Sequence, residues 1–346
     1  MTTHMLPATH KKQVVLAHGG GGQLTDDLIR EVIRPRFNNL TLAPLDDAAI
    51  LNTGDRRRLA FTTDSYVVQP LEFPGADIGR IAVCGTVNDL AVSGAVPRWI
   101  SLGLIIEEGF DIHRLARLLD SAARAAMEAD VHVVTGDTKV VARGQADGLY
   151  INTAGIGLMA DHLELGPTMI REGDVVLING PIADHGLAVM LQREDALSIR
   201  STLRSDAAPL ADLVAAVMAA APNVRFMRDP TRGGVAGVMA DLAEQSGQRI
   251  MIDESRIPVR PDTLYAAEML GIDPLDVANE GKLIAVVPPD EVEGALAAMR
   301  ASPNGRDATA IGEVGSERDG LCEMLTDVGG RRVIQKPYGE QLPRIC

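Results

Sequence analysis

Apolar positions recur at helical spacing at Leu24, Leu28, Ile29, Val32 and Ile33, directly after the glycine run Gly19 to Gly22. Short β-like runs follow at Ala48–Leu51 and Leu59–Thr63, then a helical stretch over Asp77–Val92. Trp99–Ile106 reads as a buried strand, and Leu115, Leu118, Leu119 and Ala122 return to the helical period. Val131–Val134 and Leu149–Leu158 read as two more strands, each beside Gly, Asp or Asn. A turn signal at Gly166-Pro167 opens a second block. In it the pattern predicts strands at Val175–Ile178, Ile250–Ile252 and Thr309–Val314, with an apolar run at Leu283–Val287. Helices are predicted at Ala183–Leu191, Leu210–Ala221, Gly233–Gln245 and Glu291–Met299. Such alternation predicts a mixed α/β (α+β) protein of two domains, residues 1–165 and 166–336, with no internal repeat.

The last ten residues break every period. Two prolines and a glycine between Pro337 and Cys346 exclude a regular helix. Residues 337–346 therefore read as a mobile tail, about 33 Å long when extended. Its final residue is a thiol. The neighbouring terminal carboxylate raises a thiol's pKa and Arg344 lowers it, so Cys346 reads as a carrier of a delivered group rather than an activated nucleophile.

Composition then limits the partners. The 346 residues are 46% hydrophobic and only 3% aromatic, so aliphatic side chains must fill the cores. A net charge of -14 repels nucleic acid and anionic membrane, and neither is expected as a partner. The start lacks the apolar run of a signal peptide, and no stretch is long enough to span a bilayer. A cytoplasmic, reducing compartment is expected. Cys84 and Cys322 read as small buried hydrophobes, and His4, His10, His113, His132, His162 and His185 as structural or surface groups.

Three features carry candidate chemistry. Asp46-Asp47, Asp64, Asp89 and Asp137 each stand where a strand or helix should end. Hard oxygen ligands of this type suit Mg²⁺ together with phosphate oxygens, although turn or cap duty accounts for any one of them alone. His18, Gly19, Gly20, Gly21 and Gly22 leave N–H groups free to wrap an anion, and Asp229, Thr231, Gly233 and Gly234 lead into a helix whose N-terminus favours one. The alternatives are a flexible loop and a capped helix start. Lys139 follows Asp137 by two residues, either to neutralise a phosphate or as a surface strand lysine. Glu280 is a base by position only. No Walker A loop and no GxGxxG after a strand occurs, so any ATP is bound in another way.

In order along the chain, HGGGG, DDAAI, TTDSYVV, FPGADIG, GTVNDLA, TGDTKVV, INTAGIG, DPTRGG, NEGK and the terminal PRIC resemble the HypE family of [NiFe]-hydrogenase maturation proteins. The resemblance runs from about residue 14 to the end. The DDAA, TTD, ND and GDT motifs are shared more widely with PurM-like proteins such as aminoimidazole ribonucleotide synthetase, thiamine-monophosphate kinase and selenophosphate synthetase. PRIC separates the family from these relatives.

The resemblance implies a PurM-like fold. Its N-terminal domain supplies strands to a barrel shared across a homodimer, and its C-terminal domain is an α/β sandwich. It implies ATP-dependent dehydration of a carbamoyl group on Cys346 to a thiocyanate, after loading by a HypF-like carbamoyltransferase and before cyanide transfer to iron on a HypC–HypD-like assembly. Mg²⁺ is then expected on Asp47, Asp64, Asp89 and Asp137, with Lys139 stabilising developing charge and Glu280 acting as the base. A kinase or synthetase for a free small molecule, or a scaffold using the tail only for docking, are the competing readings.

Overall fold

The computed structural model describes residues 13–37, 39–54, 58–160, 163–193, 202–338 and 344–345. Cys346 and residues 339–343 of the tail lie outside them. The first helical run is α1 (Gln23–Leu28), a π turn over Ile29–Ile33, and α2 (Arg34–Phe37).

The N-terminal sheet contains β1 (Ala49–Asn52), β2 (Arg58–Tyr66), β5 (Ala95–Glu107), β6 (His132–Val141) and β7 (Leu149–Met159), in the order β1-β2-β7-β5-β6. A short hairpin, β3 (Glu72–Phe73) and β4 (Ala76–Asp77), leads into α3 (Ile78–Val92). Asp77 caps α3, accepting the Arg80 N–H at 2.9 Å. Residues 78–92 are apolar on nearly every side, and the helix is buried on nearly every side between the sheet and the second domain. The more amphipathic α4 (Ile112–Glu128) packs beside it.

The second sheet has the order β14-β13-β10-β12-β8-β11-β9. Its strands are β8 (Val175–Ile178), β9 (Phe226–Arg228), β10 (Ile250–Asp253), β11 (Ile284–Val287), β12 (Thr309–Val314), β13 (Cys322–Leu325) and β14 (Arg331–Ile334). Val176, Ile178, Ile284 and Val286 face one core, shared with α5 (Asp184–Met190), α7 (Gly234–Ser246) and α8 (Pro261–Leu270). The intervening Leu177, Ala285 and Val287 face another, shared with α6 (Ala211–Ala220) and α9 (Val292–Ala301). Central strands covered on both faces are apolar at every position, which explains their unbroken apolar runs.

Two differences from the expected elements stand out. The strand expected at Val131–Val134 continues to Val141, so Asp137 and Lys139 lie inside a strand and not at its end. Helix α8 and strands β9, β13 and β14 were not expected. Asn88 of the NDLA motif joins the domains, donating to the Ala208 carbonyl (3.1 Å) and accepting the Leu210 N–H (2.8 Å).

Candidate functional site

Four carboxylates from distant parts of the chain meet where the domains join. Asp64 on β2, Asp89 on α3, Asp229 after β9 and Glu280 line one small cavity of about 30 Å³ with Tyr66, Thr231 and Arg232. Asp47 joins them electrostatically, raising the pKa of both Asp89 and Asp229. Its carboxylate accepts Arg228 Nε at 2.9 and 3.1 Å, and the pair raises the Arg228 pKa. Its neighbour Asp46 is exposed, so Asp47 is the member of the pair that faces the cleft. Thr62 Oγ lies 2.8 Å from the Asp47 carbonyl and 2.9 Å from Asp89 Oδ2, tying the DDAA and ND motifs together.

Burial pushes Asp89, Asp229 and Glu280 well above the ordinary carboxylate range, and their mutual repulsion adds to it. Asp229 Oδ2 and Glu280 Oε2 are buried without a hydrogen-bond partner. An unpaired buried carboxylate charge costs several kcal/mol, so this set calls for protons or cations.

The turn carrying Glu280 is fixed by its neighbours. Asn279 donates to the Pro230 and Val277 carbonyls and accepts the Ala183 N–H at 2.8 Å, pinning the DPTRGG loop to the NEGK turn. Only glycine fits at 281, where a Cβ would lie 2.0 Å from the Asp206 carbonyl. The Glu280 N–H donates to Asp206 Oδ1 at 3.1 Å, and Asp206 pairs with the buried Lys282 at 2.7 Å.

The two glycine segments converge. Gly21 has φ +73 and its Cα approaches Arg232, while Gly233 (φ +82) and Gly234 (φ +60) turn the chain into α7. A Cβ at Gly234 would lie 2.3 Å from the Leu275 carbonyl, which excludes any other residue. The HGGGG loop is less open than expected. His18, Gly20 and Gly21 N–H groups already bond to the Val15 carbonyl, the Ala17 carbonyl and Thr25 Oγ. The first N–H groups of α1, on Gln23 and Leu24, bond to the carbonyls of Pro337 and Tyr338 in the tail.

Asp137 and Lys139 do not join the cluster within one chain. Register places Asp137 opposite Gly103, Gly103 opposite Asn152 and Asn152 opposite Ser65, on the sheet face away from Asp64. Both side chains are about 70% exposed, at 69% for Asp137 and 70% for Lys139, and they pair with each other at 3.2 Å. The chain's end comes much closer. Ile345 is buried, and its carbonyl lies 3.1 Å from His185 Nε2. The Arg344 carbonyl accepts the Gln69 N–H at 3.1 Å, three residues beyond Tyr66 of the cavity.

This arrangement has known counterparts. The family models for AIR synthase related proteins match residues 45–159 (N-terminal domain) and 171–321 (C-terminal domain). The carbamoyl dehydratase HypE of Rhodobacter capsulatus is 47% identical over 342 residues, 98% of this chain and 100% of the relative. This chain belongs to the HypE family. A crystal structure of hydrogenase maturation protein HypE with ATP matches at TM-score 0.80 and 42% identity, covering 96% of this chain and 100% of that one. HypE in a HypE–HypF complex matches at TM-score 0.84 and 43% identity, covering 90% and 99%.

The HypE-type cleft fits a divalent cation by its chemistry: oxygen donors alone, excess negative charge and two orphaned carboxylate oxygens. Among the described residues no three His, Cys, Asp or Glu side chains form a preformed metal cage. Asp229, expected among the anion-binding residues of DPTRGG, lines the cavity with Asp64, Asp89 and Glu280.

A pH dependence of stability follows. The folded state of the HypE-type cleft retains protons on Asp89, Asp229 and Glu280 that the unfolded chain has released. Folding stability from these groups is therefore full at acid pH and is lost as pH rises from the ordinary carboxylate range of about 4 through the raised values. Thermal unfolding in chelator should show the midpoint falling with rising pH, and Mg²⁺ should flatten the curve.

Proposed function

We propose that this chain dehydrates a carbamoyl group carried on its own Cys346 to a thiocyanate, using ATP, to supply the cyanide ligand of a [NiFe] hydrogenase. The observation that carries the reading is the seating of Arg344 on Gln69, three residues beyond Tyr66 of the cleft, and of Ile345 on His185. Cys346 follows Ile345 directly, and its sulfur is the proposed carrier.

The chemistry balances as follows. The carbamoyl oxygen attacks the γ-phosphorus of ATP and ADP leaves, while one N–H proton goes to Glu280. The product is an imidate ester, S–C(=NH)–O–phosphate. Loss of the second N–H proton and of inorganic phosphate leaves S–C≡N. Phosphorylation is needed because oxide is a poor leaving group and phosphate a good one. Burial makes Glu280 a stronger base than an ordinary carboxylate. Asp47, Asp64, Asp89 and Asp229 would hold Mg²⁺, which offsets phosphate charge that a chain of net charge -14 repels. At the start of α7 the Gly233 N–H would donate to a nucleotide phosphate, with Arg232 beside it, while the Gly234 N–H already bonds to the Thr231 carbonyl. Measuring ADP release tests the reading: it should require a carbamoyl-loaded Cys346, with one nitrile per ADP.

The working unit is a homodimer. β6 is an edge strand, long and exposed along nearly its whole length, and Val134 and Val140 are 59% and 67% exposed on it. Such an edge invites pairing with another chain. On the sheet face that Asp137 and Lys139 share, Trp99 and Ile105 of the neighbouring β5 and Leu158 of β7 are also exposed. A second copy packed here brings Lys139 to its partner's cleft. Val134→Arg should convert the dimer to monomer in analytical ultracentrifugation. Lys139→Ala and Glu280→Gln chains, each inactive alone, should regain activity when mixed, because each mixed dimer holds one intact site. If Lys139 acts on its own chain's cleft, mixing restores nothing.

Loading by a HypF-like carbamoyltransferase and cyanide transfer to iron on a HypC–HypD-like scaffold complete the cycle. A reducing compartment such as the cytoplasm keeps Cys346 a thiol. No helix among the described residues is long and apolar enough to cross a membrane.

A further inference from the structure

We propose that His185 is the positioning residue of a built receptor for the chain's end, which grips the backbone of Arg344 and Ile345 and thereby presents the following residue to Glu280. His185 lies in the first turn of α5, fully buried, with its ring edge-to-face against Phe73 at 5.4 Å. Its Nδ1 is 2.8 Å from Ser205 Oγ and its Nε2 is 3.1 Å from the Ile345 carbonyl. A carbonyl only accepts, so Nε2 carries the proton. Nδ1 must then accept, and the Ser205 hydroxyl donates to it. Ser205 is itself oriented, because its oxygen accepts the Ala207 N–H at 3.1 Å. The result is one tautomer with its single N–H aimed at the tail.

The grip has two further points. The Arg344 carbonyl accepts the Gln69 N–H at 3.1 Å and the Arg193 guanidinium at 3.0 Å. The Arg344 side chain donates to the Val67 carbonyl at 3.1 Å and pairs with Asp147. Between these points Arg344 adopts φ +58, left-handed for a residue with a Cβ, and Ile345 enters the main core at 4% exposure. A disordered end makes no such set of contacts.

Each part of the receptor adjoins a part of the cleft in sequence. Val67 and Gln69 follow Tyr66. Ser205 precedes Asp206, which accepts the Glu280 N–H. Helix α5, which carries His185, begins at the Ala183 N–H held by Asn279 beside Glu280. Seating the tail and shaping the cleft thus depend on the same turns. The grip itself follows from the contacts; its use in presenting a carbamoyl group rests on the dehydratase reading above.

The test uses the full-length protein with His185→Leu, which removes both ring nitrogens, and His185→Gln, whose amide can restore a donor near Nε2. Carboxypeptidase must release the seated end before cleaving it, so the rate of loss of Cys346 and Ile345 tracks the open population. His185→Leu should speed that loss about three- to tenfold, the effect of one hydrogen bond, and His185→Gln should return it toward wild type. Single-turnover nitrile formation should fall in parallel while the KM for ATP stays unchanged. Alkylation of the buried Cys84 and Cys322 reports unfolding. Should His185→Leu unfold, Ile345→Ala, a change in the tail alone, must give the same faster release. Wild-type release rates in a folded His185→Leu protein, or in Ile345→Ala, overturn the receptor. Faster release with undiminished nitrile formation overturns its presenting role. Receptor behaviour in a wild-type protein that forms no nitrile would refute the dehydratase reading and leave the receptor standing.

Discussion

Cys346→Ala is expected to abolish thiocyanate formation entirely while leaving ATP binding at its wild-type level. The other two thiols cannot replace it. Cys84 and Cys322 are buried, and burial pushes each thiol up to about 12, so neither forms a thiolate near neutral pH. They also belong to the packed cores and have no path to a carbamoyl donor. The carboxylates of the cleft, by contrast, come from β2, α3, the loop after β9 and the Glu280 turn, and the cleft proposed for the nucleotide does not include the terminal sulfur. Mass spectrometry of the carbamoyl-loaded variant, with nucleotide titration in parallel, checks both halves. A nitrile anywhere on the Cys346→Ala chain would refute the carrier role.

Glu280→Gln should separate catalysis from stability. The glutamine keeps the shape, and the Asp206 contact survives because it uses the backbone N–H of residue 280. Removing the base should slow nitrile formation about 10²–10⁴-fold. The same change removes a buried, orphaned carboxylate oxygen beside Asp229. Metal-free protein at neutral pH should therefore gain stability, on the order of 1–3 kcal/mol, read as a higher unfolding midpoint. A variant that lost both activity and stability would point to Glu280 as a structural group.

Much of the frame was legible because local rules governed it. The apolar stretch over residues 77–92 marked a helix, and the helix spans Ile78–Val92. The apolar run at residues 175–178 marked a strand, and the run at 284–287 forms another beside it. Short strands with polar outer positions were lost: in β14, Arg331, Arg332 and Val333 are exposed and only Ile334 is buried. Helix α8 was lost because Tyr265 and Met269 stand exposed and blur its apolar stripe.

The site was harder to read because sheet faces and long-range pairings set it. Spacing placed Asp137 near a strand but could not say which face it takes; register puts it opposite Asp64's face. Glu280 had no local mark beyond its turn and was chosen by resemblance. Its environment comes from Asp206 and Asp229, dozens of residues away. His185 looked like an ordinary buried histidine until the fold brought the chain's end to it.

In the proposed reaction the group on the terminal sulfur gives its oxygen to the γ-phosphate of ATP at the Glu280 cleft. The most direct measurement loads Cys346 with a carbamoyl group bearing isotopically heavy oxygen, adds ATP and Mg²⁺, and follows the label. The predicted result is heavy oxygen in the inorganic phosphate and a C-terminal peptide lighter by one labelled water, carrying S–C≡N. Unlabelled phosphate, with the carbamoyl group still on Cys346 after ATP is hydrolysed, would contradict it.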